Sequence, residues 1–389
     1  MSELNASNLR KEQGNEGPDL VGTTELTSPY FMVPPSGNTD ERPQNPQPGT
    51  LRFNTDIGSL EYFKGDTIGW ESIDKVSPNL GGGTGSNTGK GHRGLYGSGQ
   101  KAPSQGTYAT EIDFLTISTL GNAQDFGDLA TNRSGRGLLS SATRAVFGCG
   151  YGPADDMEYV TIASTGDALT FGLELGDADG RSGLSDGVRG IFAGIITGGD
   201  DNVISYITIA QTGNAVDFGD QTTAMKRSAT FASSTRGIIA GGSSGDTEYN
   251  IIEYLTIRTL GNSIDFGDLT HDDTNSIAGG SNATRGVVYG GTDAPGYANV
   301  NHIEYLTIAT LGNTTDFGDT SVTTNGGGAC PDPTRLVMKF GAQDNGTTLT
   351  NVIEYVQIST TGNSVDFGDS VLQTYSVSNG TASTGHGGL

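Results

Sequence analysis

The chain has 389 residues, of which 62 are glycine and only 33% are hydrophobic, a composition that favours short strands and turns over a large helical core. Its net charge of −23 argues against a nucleic-acid partner, and no apolar run is long enough to predict insertion into a membrane. The polar N-terminus lacks the apolar core of a signal peptide, and Cys149 and Cys330 are expected to be buried free thiols.

Residues 1–49 are predicted to form an extended N-terminal arm. Residues 1–27 are polar and of mixed charge, so alone they have too little apolar surface to fold. Residues 28–49 contain six prolines, which favour a polyproline-like conformation.

Residues 50–73 are predicted to form a small β-meander that anchors the protein. Three short strands are expected near Leu51, Leu60 and Trp70, with turn residues between them. A sheet of this size is too small to be stable alone, so we expect it to pack on a neighbour or in a homo-oligomer. The glycine-rich residues 74–91 are predicted to be a flexible linker.

The order of residues between Arg42 and Glu71 resembles a module near the N-termini of phage tail-fibre and other virion proteins. The resemblance is carried by Arg42-Pro43, Pro48-Gly49-Thr50-Leu51-Arg52-Phe53-Asn54-Thr55-Asp56, Leu60-Glu61-Tyr62 and Trp70-Glu71. In those proteins the module lies between an arm that anchors it to the particle and a distal domain. The resemblance implies partners among other virion proteins and location in a phage particle assembled in the host cytoplasm. A β-meander without this role is the alternative.

Residues 92–389 contain a motif that occurs six times and predicts a repeat architecture. Asp-Phe-Gly-Asp occurs five times, and Thr170-Phe171-Gly172 is a degenerate sixth copy. The phenylalanines lie 45 to 51 residues apart, at Phe126, Phe171, Phe218, Phe266, Phe317 and Phe367.

Each repeat contains signals for several short strands. An arginine before an apolar run and glycines predicts the second strand, at Arg93, Arg144, Arg189, Arg236, Arg285 and Arg335. β-Branched and aromatic residues predict the third strand, and a Gly-Asn or Gly-Asp turn leads to a fourth that ends in the phenylalanine motif. We expect the phenylalanines to wedge between repeats, the aspartates to cap backbone N–H groups, and the arginines to tie one repeat to the next.

The predicted fold is all-β: a six-bladed β-propeller of four-stranded blades, behind the extended arm and the meander. The repeats resemble Kelch-like repeats in period, strand pattern and glycines, although phenylalanine stands where such repeats usually place tryptophan. The first copy begins at its second strand, and counting 18 residues from Phe367 puts an unpaired first strand at about 372–384. This segment is expected to complete the first blade and close the ring.

Most variation in repeat length lies between the second and third strands, whose connections share one face of such a blade with the links between repeats. Because binding residues usually lie on variable loops of a rigid scaffold, this face is the predicted binding surface. It comprises residues 100–110, 151–156, 195–202, 243–250, 292–301 and 342–351. The candidate binding residues are Tyr108, Tyr151, Tyr249, Tyr297, Asp201, Asp293 and Asp344. Drift of unrestrained loops is the alternative reading.

No enzymatic activity, metal or cofactor is predicted. The four histidines match no metal-ligand spacing, and no nucleophile elbow accompanies a plausible triad. The expected function is that of a phage structural protein, anchored by its N-terminal region, whose propeller adheres to a host-surface protein or glycan. The alternatives are a tail or capsid component that binds only other virion proteins and, third, a glycan depolymerase.

Overall fold

A computed structural model describes residues 34–56, 59–67, 69–72, 92–101, 107–151, 155–176, 180–195, 202–245, 247–271, 275–293, 298–343, 348–375, 379–380 and 382–383. The chain divides into two compact units, Met1–Ser77 and Pro78–Leu389. The predicted all-β class is confirmed, because the described residues form antiparallel sheets, many of them four-stranded, and one short 3₁₀ helix. None of these residues belongs to a helix with the length and apolar character needed to cross a bilayer.

The first unit contains a four-stranded sheet. Its strands are Ser36–Gly37, Leu51–Asn54, Ser59–Phe63 and Trp70–Ser72, and its 3₁₀ helix is Thr39–Glu41. The last three strands are antiparallel neighbours at the predicted positions. The expectation of an extended arm does not hold for residues 34–49, since Ser36–Gly37 pairs in parallel with Phe53 and Asn54. The capping of the 3₁₀ helix by Asn38 turns this segment back onto the sheet.

A buried ionic cluster holds this segment to the sheet. The Arg42 guanidinium pairs with Glu61, which is fully buried, and Arg52 approaches the same carboxylate at 3.3 Å. Asn54 donates to Glu61 at 3.1 Å, and Arg52 donates to the carbonyl of Asn38 at 2.9 Å. The hydrogen bond from Arg42 lowers the pKa of Glu61 although burial opposes this. A fixed order of arginine, asparagine and glutamate is therefore a structural requirement of this module.

The second unit consists of six repeats, each with a second, third and fourth strand joined in antiparallel order, and five of them with a first strand. In chain order, the strands of repeat 1 are Arg93–Gly97, Gln100–Lys101, Glu111–Thr116 and Gln124–Asp128, those of repeat 2 are Gly137–Ser140, Arg144–Phe147, Asp156–Thr161 and Leu169–Leu173, and those of repeat 3 are Ser182–Ser185, Arg189–Ala193, Val203–Thr208 and Val216–Asp220. The strands of repeat 4 are Ala229–Ala232, Arg236–Ser244, Thr247–Thr256 and Ile264–Asp268, and those of repeat 5 are Ala278–Ser281, Arg285–Tyr289, Thr292–Asp293, Ala298–Thr307 and Thr315–Thr324. The strands of repeat 6 are Gly328–Pro331, Arg335–Lys339, Ala342–Gln343, Thr348–Leu349, Val352–Gln357 and Val365–Asp369, and the segment after it contains the strands Thr374–Tyr375 and Asn379–Gly380.

One backbone contact recurs between successive repeats. The glycine N–H of each third-to-fourth turn donates to the carbonyl of the phenylalanine in the preceding repeat, at 2.8 to 2.9 Å. The turns of repeats 2 to 6 contact repeats 1 to 5 in this way, and Gly121 of repeat 1 contacts Phe367 of repeat 6. The glycine that follows each phenylalanine lies against the same turn, so close that an added Cβ would clash with backbone atoms. The motif therefore requires glycine because two backbones meet there.

The segment after the sixth repeat pairs with several earlier strands. Thr374–Tyr375 is antiparallel to Gln100–Lys101, and Leu95 N–H donates to Ala382 at 3.1 Å. Asn379–Gly380 lies in parallel between the first strands of repeats 2 and 3, which it joins into one sheet of nine strands. The repeat count does not predict this parallel insertion, whereas the antiparallel contact that it predicts with repeat 1 is present as the bridge between Gly94 and Ser383. The neighbouring inner strands consist mainly of small residues, so a further backbone fits between them.

The core is divided into small clusters, most of which combine side chains of adjacent repeats. Each motif phenylalanine is buried and meets the ring of the third strand in its own repeat edge to face, at 6.0 to 6.1 Å between centroids. The prediction of two buried free thiols is confirmed for Cys149 and Cys330. Burial raises the pKa of both thiols to about 12, so both are protonated at neutral pH.

We expect Gly172→Ala to destabilise the second unit. An added Cβ at Gly172 would lie 2.1 Å from the carbonyl oxygen of Gly213, so repeats 2 and 3 must separate. Overpacking of this kind costs roughly 1–3 kcal/mol, measured as the free energy of unfolding in denaturant. Gly213→Ala is the matched control, because a Cβ there meets nothing within 4 Å and should change stability by less than about 0.5 kcal/mol. Equal effects of the two substitutions would contradict the role of this contact.

Candidate functional site

The predicted binding face carries ordered β-hairpins in repeats 4, 5 and 6. In repeat 4 the second and third strands continue into a hairpin in which Ser243 pairs with Glu248. In repeat 5 Thr292 pairs with Asn299, and in repeat 6 Ala342 pairs with Leu349. The described parts of these connections therefore extend the sheets of their repeats.

Each of these hairpins is fixed at its base to the link that enters the same repeat. Lys226 and Ser243 exchange two backbone hydrogen bonds of 3.0 Å, and Asn325 and Ala342 do the same at 2.9 and 3.0 Å. Asn275 forms the corresponding bridge to Thr292. The hairpins thus have a defined direction before any partner binds, which lowers the entropy cost of binding.

The three hairpins also contact one another and form one continuous surface. The Thr292 hydroxyl donates to Glu248 at 2.9 Å, which joins repeats 5 and 4. The Asn299 amide donates to the carbonyl of Ala342 at 2.8 Å, which joins repeats 5 and 6. We call residues 243–249, 292–299 and 342–349 the hairpin surface; 246, 294–297 and 344–347 lie outside the described residues.

Four of the seven candidate binding residues lie in the part of the chain that the structure describes. Tyr151 is exposed, with 53% of its surface accessible, whereas Tyr108 and Tyr249 are half-buried. No hydrogen bond or ring contact joins any two of these three tyrosines within the described ranges. The backbone of Asp293 lies in a strand paired with Ala298. The other three residues, Tyr297, Asp201 and Asp344, lie outside the part of the chain that the structure describes.

The buried carboxylates of the third strands cap the links between repeats. Glu253 accepts from the backbone of Thr222 and Thr223, and Glu304 accepts from Thr270 and His271. Glu158 and Glu354 occupy the same place in repeats 2 and 6. Sequence reasoning missed this role, although the recurrence of Glu-Tyr at one position of the third strand was a usable signal. These carboxylates support the scaffold, and Glu304 also lines a small cavity together with His271 and His302.

Repeat 3 also has a buried carboxylate beside its third strand, but a different residue supplies it. Ser205 replaces the third-strand glutamate, and Glu174 of the preceding link supplies the carboxylate instead. Arg181 pairs with Glu174 at 2.9 Å, and both side chains are almost fully buried. The buried charge is therefore compensated locally, as a low-dielectric interior requires.

The exposed aspartates of the repeated motif do not have the predicted capping role. The capping acceptor is the asparagine or aspartate of the next turn, whose side-chain oxygen receives the backbone N–H two residues after each phenylalanine at 3.1 Å. An amide oxygen caps as well as a carboxylate here and adds no charge. The aspartate before each phenylalanine is exposed wherever it occurs.

The predicted tie between repeats is confirmed for all six arginines. Each guanidinium stacks over the aromatic ring of its own third strand, 4.2 to 4.8 Å from the centroid. Each also donates to the carbonyl of the isoleucine after the third strand of the following repeat, at 2.7 to 3.2 Å. Arg335 of repeat 6 donates to Ile117 of repeat 1. These side chains are therefore part of the scaffold.

A pair of stacked imidazoles joins repeats 4 and 5. The rings of His271 and His302 lie 3.9 Å apart and nearly parallel, at 6°. His271 Nδ1 contacts Glu304, and His302 Nδ1 lies 4.0 Å from Asp319. No group of three or more suitable side chains that could hold a metal ion occurs in the described ranges.

Two buried ionisable groups lie where the sixth repeat meets the first. Asp113 accepts from the backbone of Val371 at 3.0 Å, and Lys339 donates to the Thr374 hydroxyl at 2.6 Å. Burial raises the pKa of Asp113 to about 6 and lowers the pKa of Lys339 to about 8. Both groups hold the segment that follows the sixth repeat, so the stability of this junction depends on pH.

The chain matches no protein-family model and no curated protein. The function has to be inferred from the geometry described above.

We expect the pH dependence of stability to change in opposite senses in two variants. Between pH 3.8 and about 6 the native state binds more protons than the unfolded state at Asp113, so the wild type loses stability relative to Asp113→Asn as pH rises. Between about 8 and 10.5 the unfolded state binds more protons at Lys339, so the wild type gains stability relative to Lys339→Met. Each change should approach roughly 3 kcal/mol in denaturant titrations. Curves that run parallel at all pH values would contradict these environments.

Proposed function

We propose that the second unit is a closed six-bladed β-propeller and that the protein is a phage structural component. In this role the N-terminal unit attaches it to other virion proteins, and the hairpin surface adheres to a host-surface protein or glycan without catalysis. The observation that carries the binding role is the continuous surface of three hairpins, each fixed at its base and joined to its neighbours. Binding surfaces of this kind combine a rigid scaffold with connections of variable length.

Closure of the propeller is supported by contacts that recur in cyclic order. The turn of repeat 1 makes with repeat 6 the same backbone and side-chain hydrogen bonds that join every other pair of neighbours. Arg335 repeats the arginine tie across the same junction. Near the inner strands, the hydroxyl of Ser140 donates to the carbonyl of Ser383, and the hydroxyl of Ser383 contacts the carbonyl of Pro331. Ser383 therefore takes the place that a first-strand residue of repeat 1 would have between repeats 6 and 2.

The attachment role of the first unit is supported by its buried cluster. Arg42, Arg52, Asn54 and Glu61 are among the residues through which this region resembles the N-terminal modules of tail-fibre and other virion proteins. Their contacts show why the order of these residues matters for folding. The role itself rests on the resemblance, since folds and functions are not tied to one another.

A binding role is favoured over glycan hydrolysis by the use of the buried carboxylates. Glycosidases place two carboxyl groups about 5 to 9 Å apart around a sugar. Here the recurring glutamates of the third strands are buried and accept hydrogen bonds from the links between repeats. They are the obvious acidic candidates of the repeat, and their oxygens are already engaged.

The closed ring predicts that removal of residues 372–389 will destabilise the second unit strongly. The deletion removes Ala382 and Thr374, the partners of Leu95 and Lys339, and leaves the buried Lys339 ammonium without its hydrogen bond. We expect the melting temperature to fall by about 5 °C or more in a thermal scan. Removal of 384–389 alone is the control and should have little effect. An unchanged melting temperature after the longer deletion would argue against closure.

The binding role predicts that the tips of two hairpins are needed for adhesion. Replacement of residues 244–247 and 293–298 by Gly-Ser sequences keeps the base contacts of Ser243 and Thr292. We expect the melting temperature to stay within about 2 °C, while binding of the labelled full-length protein to host cells or an array of bacterial glycans falls at least about tenfold. Leu260→Thr, on a third-to-fourth turn, is the matched control. Retained binding in the hairpin variant, or release of sugar from the array, would refute the proposal.

A further inference from the structure

Most of the exposed aliphatic side chains lie at the end of the strands opposite the hairpin surface. Leu120, Leu260 and Leu311 occupy the same position in three third-to-fourth turns, with 54–55% of their surface accessible. A second position, two residues before the phenylalanine of the fourth strand, is similarly accessible to solvent. It holds Leu169, Val216, Ile264 and Val365, which are 50–60% accessible. Exposure of this extent at repeated positions is unusual for aliphatic residues of a folded protein.

The two positions flank the backbone contact that joins successive repeats. Leu260 precedes Gly261, whose N–H donates to Phe218, and Val216 lies two residues before that phenylalanine. The same geometry places Leu311 beside the segment of Ile264 and Leu120 beside the segment of Val365. We call these three sets the aliphatic pairs: Val216 with Leu260, Ile264 with Leu311, and Val365 with Leu120.

The fold does not require aliphatic residues at these positions. The turn position holds exposed threonine in the other three repeats, at Thr165, Thr212 and Thr361. The strand position holds Gln124 in repeat 1 and Thr315 in repeat 5, both exposed. Of the three boundaries between repeats that lack an aliphatic pair, two have polar residues at both positions. The third has Leu169 at one position and Thr212 at the other. Because identical backbone contacts form with either chemistry, the aliphatic pairs have no structural purpose within one chain.

The surroundings of the pairs determine which kind of partner fits. An exposed aspartate follows the fourth-strand residue of each aliphatic pair, at Asp217, Asp265 and Asp366. A second copy of the chain would bring aspartate against aspartate and add another charge of −23, so self-association is disfavoured. A partner with lysine or arginine beside apolar side chains matches both features.

We infer that the aliphatic pairs and their flanking aspartates form a docking surface for a second protein, distinct from this chain, whose surface carries basic residues next to apolar ones. This surface lies at the far end of the strands from the hairpin surface, so one protein can hold the domain while the hairpins remain accessible. The inference does not depend on what the hairpin surface binds.

A synthetic peptide that alternates leucine and lysine provides a defined probe for the full-length protein. We expect it to bind at least about tenfold more tightly than a serine and lysine peptide of equal charge, and than a leucine and glutamate peptide. Amide hydrogen exchange should slow at residues 118–124, 211–217, 258–265, 309–315 and 359–366. Protection confined to the hairpin surface would overturn the inference, as would equal affinity for the serine and lysine peptide.

The matched variants use residues that the chain itself places at these positions. The triple variant Leu120→Thr, Leu260→Thr and Leu311→Thr should keep the melting temperature and bind the leucine and lysine peptide about tenfold more weakly. The converse variant, Thr165→Leu with Thr212→Leu and Thr361→Leu, should bind it more tightly. Unchanged affinity in both variants would refute the docking surface. A doubled mass in light scattering that the threonine variant abolishes, or tighter binding to vesicles of neutral lipid, would assign the surface to a second copy or to a membrane instead.

Discussion

The second unit depends on one place where two backbones touch. Each third-to-fourth turn lies directly on the Phe-Gly segment of the preceding repeat, where a glycine on the fourth strand leaves room for it. A backbone hydrogen bond and a side-chain cap then fix the turn in position. Because neither partner can move without breaking both bonds, this contact sets the distance between repeats. The arginine ties and the aromatic packing follow from that distance.

This constraint explains why the two ends of the strands differ. At the turn end the third-to-fourth connections must keep their length, since every one of them meets the preceding repeat. At the other end the connections between second and third strands meet only the entering link and their neighbours, so they can lengthen into hairpins. Exposed side chains at the turn end can still vary, as in the alternation between Leu260 and Thr212. The two ends can therefore evolve different chemistries on one scaffold.

The repeat period, the strand positions and the arginine ties could be predicted from sequence, because each is set by a local pattern that recurs six times. The sequence predicts third strands that start at Ile112, Met157, Ile204 and Ile353 in repeats 1 to 3 and 6, and each of them begins one residue earlier. The fold of residues 34–49 was not predictable from proline content, since it depends on Arg42 reaching Glu61 on another strand. Nor was the capping role of the turn asparagines, because aspartate and asparagine are equally good acceptors and only geometry selects between them. The aliphatic pairs were also missed: their exposure is a property of the folded surface, and a leucine in a sequence gives no sign of it.

The parallel strand at Asn379–Gly380 has a consequence for the order in which the protein is made. During synthesis the six repeats leave the ribosome before this segment does, and each can pair with the one before it as it emerges. The first strands of repeats 2 and 3 must nevertheless leave a gap for a backbone that arrives much later. A nascent chain therefore carries two inner strands with unpaired edges for as long as the remaining repeats take to appear, and such edges pair readily with other chains. Slow translation of the last repeats should thus be a hazard for this protein, and a chaperone that shields strand edges should raise its yield more than one that accelerates folding of single repeats.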